Sequence, residues 1–142
     1  MTVFDVNVLI YAMRNDVPHH EISWRYVQET LNGGDSVGWH PGLSAGVIRV
    51  ATNSKIYETP STLEDCLSFL NEIRSSESVV EIAEGPGFWE EFGEVLIETG
   101  ILGKRVSDVY WATLAMRHGA TWVTTDRGFS AFMGLKWINL LA

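Results

Sequence analysis

The chain has 142 residues, 46% of them hydrophobic, which is the size of one domain with a buried core and gives no sign of a second. Eighteen acidic against ten basic residues leave a formal charge of −8, and this works against a general electrostatic grip on nucleic acid, because such binding draws its affinity from phosphate neutralisation. Cys66 is the only cysteine, which excludes an intramolecular disulfide and a thiolate zinc site.

The amino terminus enters Val3-Phe4-Asp5 directly, without the basic start and apolar run of a signal peptide, and no apolar stretch approaches the roughly 20 residues that cross a bilayer. A cytoplasmic protein with no membrane partner is expected. Val3-Phe4 reads as a strand ending at Asp5, and Val8, Leu9, Ala12 and Met13 then follow at helical spacing. A second helix carries Ile22, Trp24, Tyr26, Val27 and Leu31 and stops at Asn32-Gly33-Gly34. Val37-Gly38-Trp39 is a short strand, and Pro41 to Thr52 is a helix with Leu43, Val47, Ile48 and Ala51 inside.

Ser61, with Glu64 three residues on, has the form of a capping box for a helix through Leu63, Leu67, Leu70 and Ile73, on which Cys66 is a half-buried thiol. Val79 to Ile82 is a β-branched strand, and Phe88, Phe92, Val95 and Leu96 mark the next helix. A long helix opens around Asp108 and ends at His118-Gly119, Thr121 to Thr125 is a strand delivering Asp126, and Lys136 to Leu140 closes the chain as a strand. Strands alternating with helices predict an α/β fold, a mainly parallel central sheet between two helical layers, formed by residues 1–142 as a single domain.

Asp5 and Asp126 each follow a predicted strand, and ligands of open parallel sheets bind beyond the carboxyl ends of the strands. Asp108 stands at a helix start, where the dipole alone stabilises a carboxylate. Turn formation or helix capping accounts equally for Asp5 or Asp126 taken singly. Together the three point to a divalent cation, because close-set carboxylates repel one another, and hard oxygen donors favour magnesium or manganese. Such an ion supplies what phosphodiester hydrolysis requires.

Asn7 and Thr125 are polar neighbours able to orient a ligand or water, or simply to bond a turn. Arg49 and Arg127 are suited to phosphate, with charge balance inside an acidic cluster as the alternative. His40 adjoins the third helix near a substrate position, and His118 is a cation suited to a helix carboxyl end. Most of the six tryptophans are expected in the core, Trp24, Trp89 and Trp111 on amphipathic helices, with Trp39 at the rim of the site.

Val3-Phe4-Asp5-Val6-Asn7-Val8-Leu9-Ile10-Tyr11, Ile48-Arg49-Val50-Ala51-Thr52-Asn53, Val106-Ser107-Asp108-Val109-Tyr110-Trp111-Ala112 and Val123-Thr124-Thr125-Asp126-Arg127-Gly128-Phe129 resemble, in order and spacing, the PIN domain of VapC toxins over almost the whole chain. The resemblance implies a PIN-like three-layer α/β/α fold and a Mg2+-dependent endoribonuclease, with Mn2+ as a substitute. It also implies the toxin half of a toxin–antitoxin pair, restrained by a VapB-type antitoxin, and a homodimer. On matching positions Asp5 and Asp108 would be the principal metal ligands, and Asp126 would complete the catalytic site directly or through water. RNA would be cut to leave a 5′-phosphate and a 3′-hydroxyl.

Two positions depart from the pattern. Many PIN domains carry a glutamate where this chain has Gly46, and relatives often have an aspartate where it has Gly128. A PIN-like binding module with weakened catalysis is therefore one rival. Another is a phosphatase of the haloacid dehalogenase type with Asp5 as nucleophile, although Asn7 stands where that chemistry needs a second aspartate.

Overall fold

The computed structural model describes all 142 residues, Met1–Ala142. The elements run β1 (Thr2–Phe4), α1 (Val6–Met13), α2 (His20–Leu31), β2 (Val37–Trp39), α3 (Pro41–Ala51), α4 (Leu63–Arg74), β3 (Val79–Glu81), α5 (Phe88–Thr99), α6 (Val106–Arg117), β4 (Thr121–Thr124) and β5 (Lys136–Asn139). Short 3₁₀ turns at Gly103–Arg105 and Arg127–Ala131 precede α6 and follow β4.

The five strands form one sheet in the order β3-β2-β1-β4-β5, and every pairing is parallel. From β1 the chain steps outward through β2 to β3, then returns across the sheet to β4 and β5. Right-handed crossovers put helices of the two runs on opposite faces. In agreement, α1 packs on α2 and α3, and α3 on α4, whereas α5 packs on α6. The direction of winding reverses between β1 and β4, so the crevice beyond their carboxyl ends is the topological switch point.

Val3, Phe4, Val37, Trp122 and Val123 supply the sheet's share of the core, against Val8 and Leu9 of α1, Leu43 and Val47 of α3, and Val109 and Ala112 of α6. Three expectations need correction. Trp39 lies in the core at 1% exposure, its indole N–H donating to Ser44 Oγ at 2.9 Å, while Trp89 is 75% and Trp24 48% exposed. The helices of Trp24 and Trp89 lie on the outside of the layers, so an aromatic on them need not face the sheet. Cys66 is fully buried, not half-buried, because α3 covers α4.

The third correction concerns the start of α4. Thr62, not Ser61, is its N-cap and accepts from the Asp65 amide at 3.1 Å. Ser61 Oγ instead accepts from Arg14 Nη1 at 2.8 Å, a partner 47 residues away that local sequence does not disclose. α5 is bounded by Gly87 and Gly100, both at positive φ (86° and 67°), where a side chain would be strained.

Candidate active site

The register pairs Phe4 with Val123, so the residues leaving β1 and β4 emerge side by side. The Asp5 amide donates to Val123 O at 2.8 Å, continuing the ladder one residue past the strand. Asp5 occupies the N-cap position of α1 but makes no side-chain cap. Its Oδ2 instead accepts from Thr124 Oγ1 at 2.6 Å, and that hydroxyl accepts from the Asp126 amide at 3.0 Å. The capping role that could have explained Asp5 is absent.

Asp108 projects from the first turn of α6, where Arg105 Nε approaches its Oδ2 at 3.4 Å. Arg105 also donates to Gly128 O at 3.0 Å, tying the entrance of α6 to the turn after β4. Asp126 begins that turn, its Oδ1 accepting from the Gly128 amide at 2.7 Å.

Asp5 and Asp108 line one open cleft of about 370 Å³, together with Asn7, Gly46, Arg49 and Trp111. Asp126 is not on its wall. Burial pushes the Asp5 carboxyl up to about 6; the Thr124 hydroxyl and the Val6 amide oppose the rise, and the charges of Asp108 and Asp126 add to it. Asp108 is also raised, first by burial and then by Asp126, against the pull of Arg105. The three aspartates predicted from sequence thus fall within electrostatic reach of one another. No three carboxylate, histidine or cysteine side chains, however, converge closely enough to enclose a metal ion.

The donors on the cleft are therefore an open pair, Asp5 and Asp108. That set fits magnesium, which binds through one or two carboxylates and keeps several waters. Burial, with a smaller share from neighbouring carboxylates, disfavours the charge on both aspartates, and a cation relieves that cost.

The structure places the remaining candidates unevenly. Asn7 and Arg49 are exposed on the cleft wall. Thr125 lies past the end of β4 and makes no side-chain hydrogen bond to Asp5, the partner there being Thr124. Arg127 is exposed on the turn after β4, off the cleft wall. His118, at the end of α6, bonds Ala83 O at 2.8 Å through Nε2. Sequence reasoning passed over Thr124 in favour of its neighbour; the register with β1 is the signal that selects it.

A second group was not legible at all. His40 Nδ1 accepts from the Gly42 amide at 2.9 Å, so Nε2 carries the proton and donates to Glu84 Oε1 at 2.6 Å. Tyr110 also donates to Glu84, which lowers the glutamate, while burial and that carboxylate push the Tyr110 hydroxyl up to about 12. This cluster fixes the start of α3 to α6 two residues beyond Asp108. His40 is thus a cap and a brace, with both ring nitrogens engaged.

The departure at Gly46 has a steric reason, whereas the nearest group at Gly128 is the far end of a flexible side chain. A Cβ at Gly46 would lie 2.8 Å from Val6 Cγ2, and one at Gly128 would lie 2.7 Å from Arg105 Nη2. A larger depression, about 540 Å³, lies between the end of α1 and α4 around Arg14. Arg14 is spent there on Asp16, Ser61 and Thr59 O, with its guanidinium 3.8 Å over the Tyr57 ring, so that hollow is a loop staple.

No protein-family model matches the chain. Relatives match over nearly full length. Ribonuclease VapC37 of Mycobacterium tuberculosis is 30% identical over 139 residues, covering 96% of this chain and 95% of the relative. Ribonuclease VapC43 of the same organism is 28% identical over 137 residues, covering 96% and 93%. Among solved structures, VapBC2 from Rickettsia felis, bound to a DNA fragment from its promoter, superposes with a TM-score of 0.70 at 20% identity over 97% of each chain. VapBC-1 from nontypeable Haemophilus influenzae gives 0.64 at 17% identity, covering 99% and 98%. The two structures establish the fold, and the full-length match at 30% identity establishes the family: the chain belongs to the VapC ribonucleases.

Proposed function

We propose that this protein is a metal-dependent endoribonuclease and the toxin of a VapBC-type pair. The observation that carries the reading is the juxtaposition of Asp5 and Asp108 on one open cleft at the switch point of the sheet. The family supports the chemistry, since its named relatives are ribonucleases. A VapB-type antitoxin as partner is supported by the solved VapBC structures of the same fold. Homodimerisation is part of the same reading.

Asp5 and Asp108 would hold Mg2+, or Mn2+ in its place, with Asp126 acting on it through water or through its charge. When bound, the ion polarises a phosphoryl oxygen and lowers the pKa of a water at the scissile bond. The chain's own residues prepare the place. Thr124 fixes the rotation of the Asp5 carboxylate, and Arg105 steadies Asp108 without burying it. Burial of Asp5 strips away water that would otherwise compete for its charge, so the carboxylate is poised to take a cation. Asn7, exposed on the wall, offers an amide to orient substrate or water. The cleft is open, as a polymer substrate requires. Hydrolysis there would leave a 5′-phosphate and a 3′-hydroxyl.

The test is to incubate purified, antitoxin-free protein with structured RNA and magnesium or manganese. Cleavage that chelator abolishes is expected. Intact RNA with both metals and a folded protein would leave a binding module instead, and a trapped aspartyl-phosphate on Asp5 would indicate the phosphatase.

A further inference from the structure

A carboxylate cleft in a chain of net charge −8 repels RNA, so something on its wall must favour a phosphate. Arg14, Arg25, Arg74, Arg105 and Arg117 each form an ion pair with a carboxylate. Arg49 forms none and makes no side-chain hydrogen bond, although it lines the same cleft as Asp5 and Asp108 and is the only cation that does.

The reason lies in how those two acids are held. Asp5 is bonded to Thr124 and Asp108 to Arg105, and neither is paired with Arg49. Arg49 stands in the last turn of α3, where any cation gains from the helix dipole, but that gain does not depend on which side of the helix faces the cleft. Gly46, one turn earlier on the same wall, adds no charged or polar side chain beside the guanidinium. With a divalent ion on the two aspartates, the formal charges of ion and carboxylates cancel and Arg49 leaves the cleft net positive.

We propose that Arg49 is a substrate-positioning residue that takes a backbone phosphate of the RNA, its planar fork donating to the phosphate oxygens. This rests on the ribonuclease reading and names the residue that orients the polymer.

The test measures binding apart from cleavage. A fluorescent single-stranded RNA with hydrolysis-resistant phosphorothioate linkages, which keep the backbone charge, is titrated in magnesium, and anisotropy is followed over a series of salt concentrations for the parent, Arg49→Gln and Arg49→Lys. Arg49→Gln should weaken binding about tenfold or more. It should also lower the slope of log K against log salt by about 0.7, the loss of one phosphate contact on a single strand. Arg49→Lys should keep the slope while losing part of the affinity. On unmodified RNA in magnesium, Arg49→Gln should raise KM more than it lowers kcat, and its magnesium-induced rise in melting temperature should equal the parent's. Equal affinity and slope in parent and Arg49→Gln would overturn the assignment, as would a parent that does not bind this RNA in magnesium. If the parent still cleaves RNA with magnesium in either case, only the role of Arg49 is lost; if it does not cleave, the ribonuclease reading falls as well.

Discussion

The hydroxyl of Thr124 donates to Oδ2 of Asp5 at 2.6 Å, joining two residues 119 positions apart in the chain. The parallel pairing of β1 with β4 makes that bond possible, and the bond decides which way the carboxylate faces. Groups that hold a metal-binding carboxylate typically matter about 10- to 100-fold in metal affinity or activity.

Thr124→Val keeps the shape of the side chain and removes the donor. Because the Thr124 bond lowers the Asp5 carboxyl against the larger effect of burial, its loss should raise Asp5 further. RNA cleavage should fall about tenfold or more, and the acidic limb of the rate profile should move to higher pH. Thr124→Ser should restore both. Rates measured across pH for the three proteins check this; an unmoved limb in Thr124→Val would show that the hydroxyl does not govern the carboxylate.

Asp5 also has a signature in stability. Folded, it titrates near 6 against 3.8 for an ordinary aspartate, so between these values the folded chain keeps a proton that the unfolded chain has released. Stability must then fall as pH rises through that window, and Asp5 should cost the metal-free fold about 1–3 kcal/mol at neutral pH. Asp5→Asn should therefore melt higher than the parent at pH 7 in chelator and converge with it below about pH 4. Magnesium should raise the melting temperature of the parent and much less that of the variant. An Asp5→Asn protein that melts lower at pH 7 and retains the magnesium shift would make Asp5 a structural residue.

Gly46 faces the cleft but has no room for a side chain. Gly46→Glu alone should destabilise the fold by roughly 1–3 kcal/mol, because the new Cβ would meet Val6 Cγ2 at 2.8 Å and crowd α3 against α1. Adding Val6→Ala should recover most of that loss and let the glutamate bind, so that the double variant holds magnesium more tightly than the parent. Thermal melts and calorimetric titration of both variants test the two halves separately. Unchanged metal affinity in a folded double variant would mean the added carboxylate does not reach the ion.

Arg14 should matter to the fold and not to the site. Its guanidinium, 7% exposed, holds Ser61 Oγ and Thr59 O against the end of α1. Arg14→Met keeps much of the stem and abandons those acceptors, at an expected cost of roughly 1–3 kcal/mol. The magnesium-induced shift should persist. Denaturant unfolding with and without magnesium would show it, and a lost shift would place Arg14 in the site.

Some of this was written locally in the chain. The alternation of apolar periods near two and near 3.6 marks strand and helix wherever it occurs, and a strand followed by Asp5 or Asp126 puts a carboxylate at a carboxyl end whatever the neighbouring strands are. Tertiary structure decided the questions of direction and company. In a sheet a shift of one residue turns a side chain to the other face, so only the register of β1 with β4 could choose Thr124 over Thr125 as the partner of Asp5. The same dependence on distant neighbours put Ser61 beside Arg14 and left Thr62 to cap α4. It sank Trp39 into the core and left Trp89 in solvent. It also joined His40 to Glu84 across 44 residues and kept Asp126 off the cleft that Asp5 and Asp108 share. Hydrophobic period is a property of neighbours along the chain, whereas hydrogen bonds and charge repulsion depend on distance in space, which pairing and packing set.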